Sequence, residues 1–281
     1  MKKTRVSVIM PAFNSEKYIG EAIESILNQT FSDFEFVIIN DGSTDNTAKI
    51  IKQYAKKDKR IKFIDNKKNS GFIASLNQCF DVASGEYIAK MDSDDISLPT
   101  RLEKQVEYLD KNPNCGLVGC GYRAFDKLSF DVIHPEKIGV IDLIKTCATT
   151  IFMCRKSILD KFNLRFNPDF YCAEDYDFYS RFIRYADIHN LQEILYLYRW
   201  HGENVSITKS EIQQKNSEIV RKNLLNLLSG SSEIQAGVME LIDDKPEKIG
   251  ILLPKWMGRI CCLFIFNRER RHKFRDNYVK E

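Results

Sequence analysis

The chain has 281 residues, of which 43% are hydrophobic, 11% aromatic and 29% charged, and this composition excludes a disordered or fibrous protein. Lys and Arg number 42 against 39 for Asp and Glu, so the net charge is only +3 and we expect no nucleic-acid-binding surface. The length permits a sizeable core and predicts either two domains or one α/β domain with an appendage.

The charge is distributed unevenly along the chain. Residues 255–281 contain eight basic and three acidic side chains, a net charge of +5, which leaves −2 for the rest of the chain. Trp256, Leu263, Phe264 and Phe266 lie among these basic residues. Such a combination is typical of a helix that lies on an anionic membrane. A solvated helix packed on the body of the protein is the alternative.

The cysteine pattern and the apolar runs indicate the compartment. The eight cysteines include no C-x-x-C pair and are too sparse for a disulfide scaffold, so they predict buried free thiols in a reducing environment. The apolar run at 6–10 is shorter than the core of a signal peptide, and the run at 260–266 is far shorter than a membrane span. We therefore expect a cytoplasmic location, with peripheral contact to a membrane through the tail.

Up to residue 91, apolar runs typical of buried strands alternate with segments of helical periodicity. Strands are predicted at 4–10, 35–40, 61–65 and 87–91, and helices at 19–27, after the capping residue Asp45, and at 71–83. This alternation predicts a parallel sheet covered by helices. Ligands of such sheets bind beyond the carboxyl ends of the strands, where 11–14, 41–43 and 92–95 are predicted to meet.

The pattern after residue 100 is less regular. A helix that contains Leu102, Val106 and Leu109 is predicted to end near Asn112, which precedes a proline. The remaining elements are predicted from shorter signals, with strands at 116–125, 149–154 and 195–200 and helices at 173–185 and 211–228.

The strongest chemical signal is the segment 92–95, Asp-Ser-Asp-Asp, which directly follows an apolar strand. Three carboxylates within four positions repel each other unless a cation lies among them. Oxygen ligands of this kind favour Mg²⁺ or Mn²⁺. The alternative is an exposed loop in which Asp94 or Asp95 caps the next helix.

Two further signals are weaker when each is taken alone. Glu174 and Asp175 begin a predicted helix, where a carboxylate is commonly a cap but is also placed to act as a general base. His201 follows Arg199 after a predicted strand, so it is either structural or able to reach a diphosphate or a metal ion. The sequence has neither a phosphate-binding P-loop nor a dinucleotide fingerprint, which disfavours ATP-type and NAD chemistry.

Taken together, these segments resemble the family 2 glycosyltransferases, which are inverting, nucleotide-sugar-dependent enzymes with the GT-A fold. The similarity covers roughly residues 4–206 and rests on five motifs in the right order: VSVIMPAFN at 6–14, NDGSTD at 40–45, GEYI at 85–88, DSDD at 92–95 and AED at 173–175. With the segment 69–77, the last motif looks similar to bacterial lipooligosaccharide β-1,3-N-acetylglucosaminyltransferases. Related family members use galactose, glucose or N-acetylgalactosamine.

The resemblance implies a role for each matched residue. Asp175 is the catalytic base and Glu174 helps to hold the acceptor, while Asp94, with Asp95 and His201, binds a Mn²⁺ or Mg²⁺ ion on the diphosphate. The donor UDP-sugar is contacted by Pro11, Ala12 and Phe13 in a nucleobase pocket, by Asp41 at the uracil, by Asp92 near the ribose, and by Asn14, Ser43, Asn69, Gly71 and Ser93. One departure is Asn40, because the family commonly has a second aspartate at that position.

The implied fold is α/β, a GT-A nucleotide-diphospho-sugar transferase with a mostly parallel central sheet flanked by helices. A catalytic domain is expected at 1–208, with a nucleotide-sugar-binding half at 1–112 and an acceptor-binding half at 113–208. A helical C-terminal extension with the basic tail is expected at 209–281.

The implied activity is metal-dependent transfer from a UDP-sugar, with UDP-N-acetylglucosamine the first candidate, to a lipid-linked or cell-surface glycan at the inner membrane. A UDP-galactose, UDP-glucose or UDP-N-acetylgalactosamine transferase of capsule or O-antigen synthesis is the alternative. A binding module without catalysis is a second. A nucleotidyltransferase is a third, disfavoured because the segment 11–14 is neither Gly-rich nor basic.

Overall fold

The computed structural model describes residues 4–145, 151–202, 204 and 208–228. From residue 6 to residue 90, strands alternate with helices as the apolar pattern predicts. The elements are β1 (Val6–Ala12), α1 (Ile19–Leu27), β2 (Phe34–Asp41), α2 (Thr47–Lys57), β3 (Ile61–Asn66), α3 (Phe72–Val82) and β4 (Tyr87–Lys90). The four strands and three helices predicted for this half are therefore confirmed.

The second half combines long strands with short helices. Its elements are β5 (Ile96–Ser97), α4 (Arg101–Lys111), β6 (Cys115–Asp126), β7 (Phe130–Val132), β8 (Lys137–Ile138), α5 (Val140–Lys145), β9 (Phe152–Arg155), α6 (Lys156–Lys161), a 3-10 turn (Pro168–Phe170), α7 (Glu174–Phe182), β10 (Asp187–Trp200) and α8 (Ser210–Leu228). The strand predicted at 195–200 begins eight residues earlier, at Asp187. The strand predicted at 149–154 corresponds to β9, and its first two residues lie outside the described part of the chain.

The described strands form one mixed sheet in the order β3-β2-β1-β4-β9-β6-β10-β5, with β7 paired to β6 and β8 to β10. Strands β1 to β4 pair in parallel. Strand β9 lies antiparallel between β4 and β6, and β6 and β10 pair in parallel. Strands β1, β2, β4, β6 and β10 therefore point the same way, and their carboxyl ends share one edge of the sheet.

Apolar side chains alternate between the two faces of the sheet, and on each face they pack against a layer of helices. On one face, Val8 and Met10 of β1 belong to a cluster with α1, α2 and α4, in which Ile23 and Ile26 are fully buried. On the other face, Ile9 belongs to a cluster with α3, α5, α7 and α8. Complete burial of an isoleucine stabilises a fold by about 1.5–3 kcal/mol relative to exposure, so these layers fix the positions of the strand ends.

A buried carboxylate ties the opposite edge of the sheet together. Glu35 accepts hydrogen bonds from the Ser7 hydroxyl at 2.6 Å and from the Ser84 backbone N–H at 2.7 Å, and it pairs with Lys62 at 2.5 Å. Burial alone raises the pKa of Glu35, but these partners outweigh burial and lower it. This carboxylate is structural, since it lies at the amino ends of the strands.

Helix α8 packs on the same core as the helices before it. Val220, Leu224 and Leu225 are buried against α5 and α7, and Arg221 donates from Nε to the Ile144 carbonyl at 3.1 Å. None of the helices in the described part of the chain combines the length and apolar character needed to cross a bilayer. The basic tail at 255–281 lies outside the described residues.

Five cysteines of the described residues are free and buried, as the sequence predicts. These are Cys79, Cys115, Cys120, Cys154 and Cys172. Burial raises the pKa of the Cys120 thiol to about 12 and that of the Cys172 thiol to about 11. These thiols are therefore protonated at neutral pH and unreactive.

Candidate active site

The loops that follow β1, β2 and β4 contact each other at the carboxyl edge of the sheet. Asn14, which has a left-handed backbone with φ of 48°, donates its N–H to the Ser43 hydroxyl at 2.9 Å. Its side-chain oxygen accepts the Thr44 N–H at 2.9 Å. The hydroxyls of Ser15 and Ser93 are 2.8 Å apart. Three segments that are distant in sequence thus form the floor of one site.

Pro11 and Ala12 are buried at the end of β1, whereas the Phe13 side chain that follows them is 47% exposed. Phe13 is therefore free to pack against a planar ligand at this edge of the sheet.

Asp41 ends β2 and is only 2% exposed. Its Oδ1 accepts the Ser70 N–H at 2.9 Å and the Ser70 hydroxyl at 2.7 Å, and its Oδ2 accepts the Gly71 N–H at 2.9 Å. Burial works to raise the pKa of Asp41, but these hydrogen bonds outweigh it and lower the pKa. The carboxylate therefore stays ionised and fixes the 69–71 loop, with the Asn69 side chain also accepting the Gly71 N–H at 3.0 Å.

Gly42 makes the turn after β2 possible. Its φ is 70°, and a Cβ at this position would lie 2.6 Å from the backbone nitrogen of Asn69. Both the left-handed backbone and the close approach require glycine. Gly42 is therefore the point at which the 42–45 and 68–71 loops contact each other.

The acidic loop at 92–95 is held by the end of β10. Arg199 donates its backbone N–H to Asp95 Oδ1 at 2.8 Å and its Nε to the Asp94 carbonyl at 2.8 Å. Its guanidinium also pairs with Glu21 at 2.6 Å. Arg199 thus fixes the loop through contacts within the protein.

The aspartates of this loop lie in different surroundings. Asp95 is 1% exposed and its Oδ2 has no hydrogen-bond partner. Burial, with the negative charges of Asp94 and Asp92, raises the pKa of Asp95 well above its usual range. The Asp94 side chain is about one-third exposed, and its Oδ2 lies 3.0 Å from His201 Nε2. Asp94 and His201 therefore place two side chains of metal-ligating types side by side, while Asp95 is buried.

Two contacts fix His201, one through its ring and one through its backbone. Its ring stacks on Tyr18 with the ring centres 5.3 Å apart, and its backbone N–H donates to the Asn204 side chain at 2.7 Å. Among the described residues, no three His, Cys, Asp or Glu side chains converge on one metal position. A Mg²⁺-type ion commonly takes one or two protein ligands and completes its shell with substrate phosphates and water. The pair of Asp94 and His201 fits such an ion.

Glu174 and Asp175 begin α7 and face the acidic loop. Asp175 Oδ2 accepts a hydrogen bond from Lys90 Nζ at 3.2 Å, and the same ammonium group lies 3.2 Å from Asp92 Oδ1. The other oxygen of Asp175, Oδ1, is buried and has no partner, and the same is true of Glu174 Oε2. Buried carboxylate oxygens without partners are costly unless a ligand uses them.

The electrostatics of this pair differ from those of an ordinary helix cap. Burial and the neighbouring Asp175 raise the pKa of Glu174 to about 7. Burial also raises the pKa of Asp175, while Lys90 opposes that rise and Asp92 adds to it. Perturbed carboxyls that share one cleft are typical of a catalytic site.

The sequence predicts the carboxylates of the acidic loop and of the start of α7 as site residues, but it does not predict Lys90. Its signal was a single charged residue within the apolar segment 87–91. It also missed Tyr18, which supports His201, and Tyr196, whose hydroxyl accepts the Asp92 N–H at 3.3 Å. Aromatic residues beside a strand or helix carry no sequence signal that separates support of a site from ordinary packing.

Comparison with known proteins identifies the family to which the chain belongs. A family model described as glycosyl transferase family 2 matches residues 7–183. A Haemophilus influenzae protein described as an uncharacterized glycosyltransferase is 37% identical over 240 residues, which are 80% of this chain and 74% of that one. The chondroitin synthase of Escherichia coli is 31% identical over 233 residues, which are 79% of this chain but only 33% of the synthase.

Two solved structures share the fold. The S. aureus TarS 1–349 fragment in complex with UDP-GlcNAc has a TM-score of 0.65 and 24% identity, over 97% of this chain and 74% of that one. The mannosyltransferase PcManGT of Pyrobaculum calidifontis, in complex with GDP-Man and Mn²⁺, has a TM-score of 0.62 and 14% identity, over 100% of this chain and 89% of that one. The family match covers more than half of the chain, and the α/β fold predicted from the sequence is confirmed. The chain belongs to glycosyl transferase family 2 and is a glycosyltransferase.

Proposed function

We propose that this glycosyltransferase is metal-dependent and inverting, and that it moves a sugar from a UDP-sugar to a hydroxyl group of a glycan. The observation that carries the proposal is the unpartnered Oδ1 of Asp175, which is buried beside the acidic loop at the carboxyl edge of the sheet. A single carboxylate next to the donor site is what a one-step displacement needs.

On the donor side, we assign the metal to Asp94 and His201, whose ligand atoms are 3.0 Å apart. Such an ion supplies positive charge that neutralises the charge developing on the departing UDP. Phe13 and Asp41 flank the nucleotide in this proposal, and Pro11, Ala12, Asn14, Ser43, Asn69, Gly71, Asp92 and Ser93 complete the donor site. Asp95, which is buried, holds the loop in place by accepting the backbone N–H of Arg199.

On the acceptor side, Asp175 removes a proton. The acceptor oxygen forms a bond to the anomeric carbon as the bond from that carbon to the diphosphate oxygen breaks, and the proton moves to Asp175. Because attack comes from the face opposite the leaving group, the configuration inverts in one step. Glu174, with a pKa of about 7, can accept or donate a hydrogen bond and is assigned to hold the acceptor.

The first candidate for the donor is UDP-N-acetylglucosamine. What supports it is the resemblance of the motifs at 69–77 and 173–175 to N-acetylglucosaminyltransferases, together with the donor bound to the TarS fragment. UDP-galactose, UDP-glucose and UDP-N-acetylgalactosamine remain the alternatives. The lipid-linked or cell-surface acceptor, and the contact of the 255–281 tail with the cytoplasmic face of the inner membrane, stay predictions from the sequence.

A panel of UDP-sugars tests the donor. We expect hydrolysis of one UDP-sugar, with release of UDP, to exceed that of the others by about tenfold when Mn²⁺ or Mg²⁺ is present, and to fall to background with a chelator. The free sugar and UDP are quantified by chromatography. Binding of UDP without hydrolysis of any sugar nucleotide, with or without glycan acceptors, would indicate a binding module and contradict the proposal.

A further inference from the structure

A buried lysine, Lys90, contacts both the acidic loop and the start of α7. Lys90 is the last residue of β4 and is only 4% exposed. Its ammonium group lies 3.2 Å from Asp92 Oδ1, 3.3 Å from Asp92 Oδ2 and 3.2 Å from Asp175 Oδ2. No other side chain in the described residues hydrogen-bonds to the Asp175 carboxylate.

The backbone of Lys90 is as firmly fixed as its side chain. Lys90 pairs with Ile9 in the parallel register of β1 and β4. Its carbonyl accepts a hydrogen bond from Arg101 Nη1 at 2.9 Å, and Arg101 is itself fully buried. The ammonium group therefore has little freedom to leave the two carboxylates.

Burial of this ammonium group requires an explanation. Removing a lysine from water is costly unless the charge is paired. Burial alone lowers the pKa of Lys90, but Asp175, Asp92 and Glu174 together raise it above the ordinary value, so the side chain is cationic. The cation compensates carboxylates that come from two distant segments, the loop after β4 and the start of α7.

We propose that Lys90 is a positioning residue for sugar transfer, which binds Oδ2 of Asp175 and the carboxylate of Asp92 together and so leaves Oδ1 of Asp175 free to take the acceptor proton. This inference rests on the proposed function, because it assigns Asp175 as the base. It adds a link between the donor side, where Asp92 lies, and the base.

Two effects follow from this arrangement. First, the ammonium group fixes the rotation of the Asp175 carboxylate, so that one oxygen is used by the protein and the other is left for substrate. Second, it favours the ionised form of Asp175. The charged groups that face Asp175 are Lys90 and Asp92, from β4 and its loop, and Glu174, from α7 itself.

Without Lys90, burial and Asp92 act on Asp175 without opposition and its pKa rises further. An opposite charge at this distance commonly shifts a carboxyl pKa by about 1–3 units. The base must be ionised to act, so the acidic limb of the pH–rate profile moves to higher pH in a Lys90 variant. A residue with only a structural role would not move that limb.

The test compares Lys90→Met, which keeps an unbranched side chain but removes the ammonium group, with Lys90→Arg. We expect Lys90→Met to lower kcat for hydrolysis of UDP-N-acetylglucosamine with Mn²⁺ by about tenfold or more at pH 7, and to move the acidic limb up by about one unit. Its KM and its affinity for UDP should stay within about threefold of the wild type. Lys90→Arg should recover most of the lost kcat, because it restores the cation.

Lys62→Met is the matched control. Lys62 also pairs with a buried carboxylate, Glu35, but at the opposite edge of the sheet. We expect its kcat and its pH profile to match those of the wild type. If Lys62→Met lowers kcat and moves the acidic limb as Lys90→Met does, loss of a lysine from any buried carboxylate explains the effect and the inference is overturned.

A second measurement does not depend on turnover. In protein labelled with ¹³C at the aspartate carboxyls, the Asp175 signal is assigned by its loss in Asp175→Asn and titrated in the wild type and in Lys90→Met. A rise of about one unit in the Asp175 pKa on loss of Lys90 supports the inference. An unchanged pKa, or an unchanged kcat in Lys90→Met, overturns it. Wild-type protein that hydrolyses no UDP-sugar, with the pKa rise intact, contradicts the proposed function instead.

Discussion

Replacing Asp175 by asparagine should abolish sugar transfer and leave the donor site intact. The amide keeps the size of the carboxylate but cannot take a proton, and general-base catalysis contributes about 10²- to 10⁴-fold to a rate. We therefore expect kcat for UDP-sugar turnover to fall by about that factor. The affinity for UDP, measured by calorimetry with Mn²⁺, should stay within a few-fold of the wild type, because Lys90 is the one side chain of the described residues that hydrogen-bonds to the Asp175 carboxylate.

Asp169→Asn is the control for this substitution, since Asp169 is exposed in the 3-10 turn five residues before α7 begins. It should retain full kcat. Transfer that persists in Asp175→Asn would remove the base assignment. A parallel loss of UDP affinity would instead show that the substitution disturbs the acidic loop through Lys90 and Asp92.

Replacing Asp94 by alanine should separate metal-dependent from metal-independent binding of UDP. Asp94 is the most accessible carboxylate of the acidic loop. It also contacts a second side chain of a metal-ligating type, His201. We expect the affinity for UDP in the presence of Mn²⁺ to fall by about tenfold or more, which corresponds to about 1.4 kcal/mol. In the absence of metal, the affinity of the variant and that of the wild type should agree.

His201→Ala should lower the Mn²⁺-dependent affinity in the same direction, since its Nε2 is the second ligand atom of the pair. Asp160→Ala is the control, because Asp160 is an aspartate paired with Lys156 in α6, at the other edge of the sheet. An affinity for UDP in Mn²⁺ that is unchanged in Asp94→Ala would exclude Asp94 as a metal ligand.

The parallel half of the fold could be predicted because local signals and global packing agree there. Each strand from β1 to β4 is a short apolar run, and each helix between them has one apolar face. Parallel neighbours joined by helices leave few possible arrangements. The strand ends and the loops beyond them follow from this pattern, so the sequence predicts that the 11–14, 41–43 and 92–95 segments lie at one edge of the sheet.

The second half could not be predicted as completely, because its pairing is long-range. The run at 149–154 predicts a strand, but nothing local indicates that β9 lies antiparallel between β4 and β6. Strand β10 starts at Asp187, before the predicted position, and its register shifts near Leu191 and Ile194 interrupt the alternation of polar and apolar residues. A β-bulge inserts an extra residue into a strand, so the strand no longer shows the period-two alternation by which it could be predicted.

The candidate site, like the fold, could be predicted only in part from the sequence. Its carboxylates lie in motifs whose spacing is visible in the sequence, whereas the groups that hold them come from distant segments. Lys90 contacts Asp175 across 85 residues, and Arg199 contacts Asp94 across 105. Such supports are fixed only when the sheet brings β4, β10 and α7 together.

The anomeric configuration of the first product tests the central claim most directly. The wild-type enzyme is mixed with Mn²⁺ and UDP-N-acetylglucosamine, in which the sugar is α-linked, and the released sugar is followed by proton NMR faster than its anomers equilibrate. A single displacement with Asp175 as the base predicts that the β anomer appears first. Appearance of the α anomer first would contradict one-step inversion and, with it, the assigned role of Asp175.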